Sequence, residues 1–264
     1  MSTSRPDEAG VAAPLKALLA RDNLIVFTAL AAAAALAWAW LLRSSTGAMA
    51  GMEPPPLSAR YLLPTFTMWE IMMVAMMAPS AAPMILLHAR IDKAPTRRAR
   101  HLHTLLFSLA YLLVWTVFAA ATALVQALLV RTGAVSAMSL SVREGTLAAD
   151  LLLMAAAYEL TGAKGLCLEK CQTPMLFIHT HWKPGAAGAF RLGVSHGLYC
   201  FGCCWALMLL LFVGGVMNLA WVALLAIIVL GEKYAPPRWH AERYVAAFLT
   251  AAALVIFFRG YGAV

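Results

Sequence analysis

Charge is scarce in this sequence. Only 12% of its 264 residues are Asp, Glu, Lys or Arg, while 62% are hydrophobic. A soluble domain carries about a quarter charged residues and under half apolar ones. Too little polar surface is left to face water, so most of the exterior must face lipid, and a soluble enzyme is excluded. Several chemical signatures are missing as well. There is no Gly-x-x-x-x-Gly-Lys-Ser/Thr loop, no His-Glu-x-x-His and no Cys-x-x-Cys-His haem attachment. Without a phosphate-binding loop, ATP-driven transport by this chain alone is not expected. Only seven histidines occur, with His88, His101, His103 and His196 in or beside apolar runs. That weighs against a copper or iron oxygenase, which relies on several His or carboxylate ligands with open positions.

What is present is a series of apolar runs. A transmembrane helix needs about 20 apolar residues to cross a hydrocarbon core of about 30 Å. Seven stretches approach that length: 24–42, 65–90, 104–130, 145–160, 189–213, 216–233 and 246–258. The fourth and last are short, and Gly214–Gly215 should turn the fifth and sixth into a hairpin. The expected architecture is an all-α polytopic bundle of about seven spans. Residues 1–22 form a polar tail and 23–264 the transmembrane domain.

The net charge of +8 does not point to nucleic acid, because the basic residues sit between the apolar runs. Short cytoplasmic loops collect Lys and Arg. With the N-terminus inside, the inside segments hold fifteen: Arg5, Lys16, Arg21, Arg90, Lys93, Arg97, Arg98, Arg100, Lys164, Lys170, Lys183, Arg191, Lys233, Arg238 and Arg243. The outside segments hold five: Arg43, Arg60, Arg131, Arg143 and Arg259. This bias implies N-in, C-out in a bacterial cytoplasmic membrane. The small-residue patch 47–50 resembles a signal cleavage site, but the first run exceeds the 7–15 residues of a signal's central region. It reads as an uncleaved span. Residues 134–142 read as an interfacial segment.

Soft metal ligands are concentrated. All five cysteines, Cys167, Cys171, Cys200, Cys203 and Cys204, fall within 38 residues. On a helix His196, Cys200 and Cys203 lie within an arc of about 60°, with Cys204 at its edge. Thiolate and thioether ligands select Cu(I) first, with Zn(II) and other soft ions behind. Buried cysteines that merely pack remain the alternative. The second run carries six methionines between positions 68 and 84, and Glu70, Met73, Met77, Met84 and His88 share a face if the helix is regular. Pro79 and Pro83 are expected to kink it. Met73, Met76 and Met77 would form a thioether shell if the second and fifth spans are neighbours. Glu70, an acid near a span, is a further candidate ligand. Cys167 and Cys171, one helical turn apart, read as a cytoplasm-side relay or part of a re-entrant loop. Glu232 and Lys233 read as an interfacial ion pair or anchor.

These residues resemble a bacterial family of unknown function described as predicted metal-binding integral membrane proteins. The matching pieces are Trp69; Met76-Met77 with Pro79; and Tyr158 and Lys164 ahead of Cys167-x3-Cys171 and Pro174. They continue with Gly193, Gly197, Cys200, Gly202-Cys203-Cys204-Trp205, Met208, Gly215-x-Met217-Asn218 and Glu232-Lys233. The resemblance covers about residues 65–235. It departs at Ala163, where the family has a proline.

The expectation is a membrane protein that binds copper, with zinc or another soft metal as the alternative. Cys200, Cys203 and Cys204 would be thiolate donors and His196 a fourth. Its role would be acquisition, transfer or transport of the metal, with the lipid bilayer, the ion and a metal-donor or acceptor protein as partners. A membrane copper or iron metalloenzyme and a thiol-dependent assembly factor are the competing readings.

Overall fold

A computed structural model describes residues 21–46, 55–136, 140–142 and 145–261. The expected tail up to residue 20, the patch 47–50, and Arg143 and Glu144 lie outside the described residues. Ten α-helices are described: α1 (Arg21–Thr46), α2 (Ala59–Ile91), α3 (Arg97–Thr132), α4 (Gly145–Glu159) and α5 (Gly162–Gln172), then α6 (Pro174–His181), α7 (Gly185–Leu209), α8 (Leu211–Gly214), α9 (Leu219–Tyr234) and α10 (Ala241–Tyr261). One 3-10 turn, Pro237–Trp239, precedes the last.

Five helical segments are long and apolar enough to cross a membrane: Leu24–Ser44, Ala59–Ile91, Arg97–Thr132, Gly185–Gly214 and Ala241–Phe258. Helices α4 and α5 pass the same test together but are bent by 66° at their junction, and make six if taken as one span. These segments mark a multi-pass helical membrane protein. The expected sixth run is α9, with 16 residues. At 1.5 Å per residue it reaches about 24 Å, short of a full hydrocarbon core.

With apolar residues on every side of these helices, packing is decided by side-chain size instead of polarity. On α3, Leu105, Leu109, Leu113 and Val117 are exposed, while Phe107, Ala110, Tyr111, Trp115 and Ala119 are buried. The buried side meets α2 on one flank and, most extensively, α7 on the other. Two glycines on α7 permit the second contact. A Cβ at Gly193 would collide with the Phe107 carbonyl, and one at Gly197 would come within 2.8 Å of the Val114 side chain. Small residues four apart let two helix backbones approach closely in lipid. This approach sets Tyr111 of α3 opposite Cys200 of α7.

Helix α2 runs unbroken through Pro64, Pro79 and Pro83. Pro83 cannot donate to the Pro79 carbonyl, and the Tyr234 hydroxyl donates to it instead, at 3.1 Å. Trp69 Nε1 donates to Gln126 Oε1 at 2.8 Å, and Gln126 Nε2 to the Tyr61 hydroxyl at 3.1 Å, joining α2 to α3. The turn at Gly214–Gly215 is present, with Gly215 at φ 89° and Asn218 capping α9 by accepting from Trp221 N. The hairpin is looser than expected, because α9 leaves α7 and packs chiefly against α2 and then α5. The segment expected to be interfacial is non-helical where described. Val142 N donates to Phe212 O at 2.9 Å, fastening it to α8.

Gly193→Ala should destabilise the protein by about 1–3 kcal/mol, as overpacking does, because the collision is with backbone that no rotamer change relieves. Gly165→Ala, with nothing within 4 Å, serves as the control. Thermal unfolding in detergent should give a lowered midpoint for the first variant alone.

Candidate metal centre

Helix α7 presents His196, Cys200, Cys203 and Cys204 to the interior, all buried. The Cys203 and Cys204 thiols donate to the Cys200 carbonyl at 3.1 and 3.0 Å. The Cys200 sulfur is the hub. Lys233 Nζ of α9 donates to it at 2.9 Å, and the Tyr111 hydroxyl lies 3.0 Å away. Lys233 also donates to Ser80 Oγ at 2.9 Å, and Tyr111 to the Met77 carbonyl at 3.2 Å. Side chains from α3, α7 and α9 therefore meet at one sulfur, and Ser80 of α2 joins them through Lys233.

Helix α5 brings a fourth thiol. Thr161 caps it by accepting from Lys164 N at 3.3 Å, and the bend after α4 turns α5 onto α7. Cys171 Sγ then lies 4.0 Å from Cys203 Sγ. Cys167, one turn earlier, packs over Gly202, where a Cβ would come within 2.7 Å of its sulfur. The Tyr158 hydroxyl donates to the Gly202 carbonyl on the same side. Of the two cysteines expected to form a relay, Cys171 thus reaches a buried thiol and Cys167 packs on the same helix at Gly202, and each stays half-buried.

Beside the thiols lies a buried ionic cluster. Lys164 donates to the Glu159 carboxylate and to both oxygens of Glu232, the latter at 2.8 Å. Gln172 Nε2 donates to the Glu232 carbonyl at 2.8 Å. All three charged residues are nearly inaccessible. The interfacial reading of Glu232 and Lys233 is therefore corrected. They do not pair with each other, because successive helix residues project about 100° apart. One faces Lys164 and the other Cys200.

The remaining sequence candidates divide. Met73, Met76 and Met77 are fully buried in the core, and Met77 reaches the site through its carbonyl. Helices α2 and α7 share no extensive backbone contact; α3 and α9 carry the link between them. Glu70 accepts from Thr116 Oγ1 at 2.9 Å. It stands two helical turns, about 10 Å, from Met77 along α2, and is not part of the thiol cluster. His196 stacks on Tyr111 with ring centroids 5.4 Å apart, and its buried Nδ1 has no hydrogen-bond partner. Sequence reasoning missed Tyr111 and Ser80, read Lys233 as an interfacial anchor and met Lys164 only in the count of basic residues and within the family resemblance. Lysines within apolar runs were the available signal, since ionisable groups inside spans are costly and usually paired.

Among the described residues, no three His, Cys, Asp or Glu side chains stand in ready metal-gripping geometry. The Cys203 and Cys204 thiols are turned to the Cys200 carbonyl. The donor chemistry nevertheless fits a soft cation, with four clustered thiols and an unpartnered imidazole nitrogen. A family model described as "PpoB2: Copper chaperone" matches residues 66–256. The chain belongs to the PpoB2 copper chaperone family. The match spans every residue of the thiol site, from Met73 to Lys233, together with the Glu159–Lys164–Glu232 cluster. Searches of curated proteins and of solved structures give no match.

Lys164→Met should leave two carboxylates facing each other unneutralised, at a cost of about 3–5 kcal/mol. Adding Glu159→Gln should restore part of the loss. Chemical or thermal unfolding of both variants tests this, and equal stability of Lys164→Met and wild type would refute it.

Proposed function

We propose that this chain carries Cu(I) on the thiols of Cys200, Cys203 and Cys204, joined by Cys171, and hands it to an acceptor protein. The carrying observation is that Cys171 of α5 meets the three buried thiols of α7 in a copper chaperone family member. Thiolate is the ligand type that Cu(I) prefers. Low coordination numbers suit a carrier, because an incoming thiolate can add to the ion before a bound one leaves. Half-buried Cys171 and Cys167 lie at the margin of the cluster, where such an exchange would begin. His196 Nδ1 offers a further donor, and Met73, Met76 and Met77 supply a soft apolar wall to the same core.

The working topology is seven passes of the cytoplasmic membrane, N-in and C-out, with α4–α5 as a bent fourth pass and α9 as a short sixth. The excess of Lys and Arg in alternate connections supports it. In this orientation the margin bearing Cys167 and Cys171 faces the cytoplasm.

Elemental analysis of purified, detergent-solubilised protein is the direct test. Wild type should retain near-stoichiometric copper, and Cys203→Ser with Cys204→Ser should lose it while still inserting. Zinc in place of copper would change the cargo. Absence of metal after copper-replete growth would favour thiol-dependent assembly instead.

A further inference from the structure

Helix α3 makes a polar or ring contact at three successive turns of its buried side. Nearest the α2–α3 connection, His103 Nδ1 lies 2.7 Å from Asp92 Oδ2, and the pair is not fully covered, with side chains 14% and 6% exposed. One turn on, Phe107 stacks on His88 of α2 and on His196 of α7, with ring centroids 5.0 and 6.2 Å apart. A further turn on, Tyr111 stacks on His196 and reaches the Cys200 sulfur. From His103 to Tyr111 the helix rises about 12 Å. His88 stands one turn from Asp92 on the same face of α2, and Trp182, at the end of α6, lies over its ring at 5.5 Å. His88 is 1% exposed and His196 3%. The Nδ1 atom of each has no hydrogen-bond partner among the described residues. A buried polar atom left unpaired costs stability and calls for an explanation. Here it recurs twice on one line that ends at the thiols.

We propose that this line is an entry route for free Cu(I): Asp92 and His103 admit the ion, and His88 and His196 pass it to Cys200. The inference rests on the reading that the thiols bind Cu(I), and it adds His88 as a transfer ligand. Imidazole suits copper, and in its neutral form one ring nitrogen offers a lone pair while the other keeps its proton. Each step along the imidazoles exchanges one lone-pair donor for the next, with no electron or proton transferred. Among the described residues no three His, Cys, Asp or Glu side chains are grouped to hold an ion, which suits brief stops and not storage. A cation crossing about 12 Å of apolar interior without donors would be desolvated and uncompensated. The two unpaired nitrogens divide that distance into shorter steps. Loading at this end is separate from the hand-off at Cys171, where an acceptor thiolate adds directly to the bound ion.

The test mixes the full chain in detergent, without oxygen, with Cu(I) supplied as its acetonitrile complex. Thiolate-to-Cu(I) absorption in the near ultraviolet reports arrival at the thiols. His88→Phe keeps a stacked ring but removes the donor, and should slow loading at least about tenfold with the same final copper content. His88→Met restores a soft donor in a different shape, and should load within about threefold of the wild-type rate. Transfer of Cu(I) from the loaded protein to a competing small thiol should be unchanged in both variants. If His88→Phe does not fold, His88→Gln carries the same expectation. Loading of His88→Phe at the wild-type rate overturns the route and leaves the copper reading standing. A Met variant as slow as the Phe variant, or an equal slowing of loading and transfer, also overturns the route. Wild type that binds no Cu(I) overturns both.

Discussion

A buried ammonium group is the constraint around which this interior is organised. Lys233 lies where neither water nor lipid headgroups can solvate it, so the protein must supply every partner. It does so from three directions: Ser80 on α2, Cys200 on α7 and, through the shared sulfur, Tyr111 on α3. Each partner must arrive within hydrogen-bonding distance. The helices that carry them are therefore fixed in register and rotation, and the thiols of α7 are fixed with them.

The second ionic cluster makes this arrangement possible. Lys164 holds Glu159 at the end of α4 and Glu232 on α9, so the break between α4 and α5 is tied to the helix that bears Lys233. Because Glu232 is taken by Lys164, its neighbour is left to the thiols. Two adjacent residues on one helix thus divide two tasks, one stabilising the bend and one facing the site. The same bend lays Cys167 and Cys171 against α7, and the lack of side chains at Gly193 and Gly197 lets α3 close the other flank. Local features far apart in the chain are consequently coupled through a few buried polar atoms.

The candidate site was only partly legible beforehand. His196, Cys200, Cys203 and Cys204 share a helical face by periodicity alone, and the structure keeps that face buried. Cys167 and Cys171 were legible as a pair but not in place, since their position depends on a 66° bend that no residue pattern specifies. The methionine stripe was legible as buried but not in its neighbours, because a thioether carries no directional signal about which helix it will face. Tyr111 was invisible, being one aromatic residue among many in an apolar run. Glu232 and Lys233 were visible but misplaced, because an ionisable pair at the end of a run satisfies an interfacial anchor and a buried site equally well.

Sequence by itself determined the solvent, the helical class, the approximate positions of the long apolar helices and the softness of the candidate ligands. These follow from composition and from the 3.6-residue period, which are properties of the chain one segment at a time. Tertiary structure alone decided which thiols meet, which lysine faces which anion, and that α3 and α9 connect α2 to α7. The physical reason lies in the apolar helices themselves. When every face is hydrophobic, the pattern no longer encodes which side faces inward. That choice falls to glycine-sized gaps and to a handful of buried charges whose partners lie as many as 153 residues away.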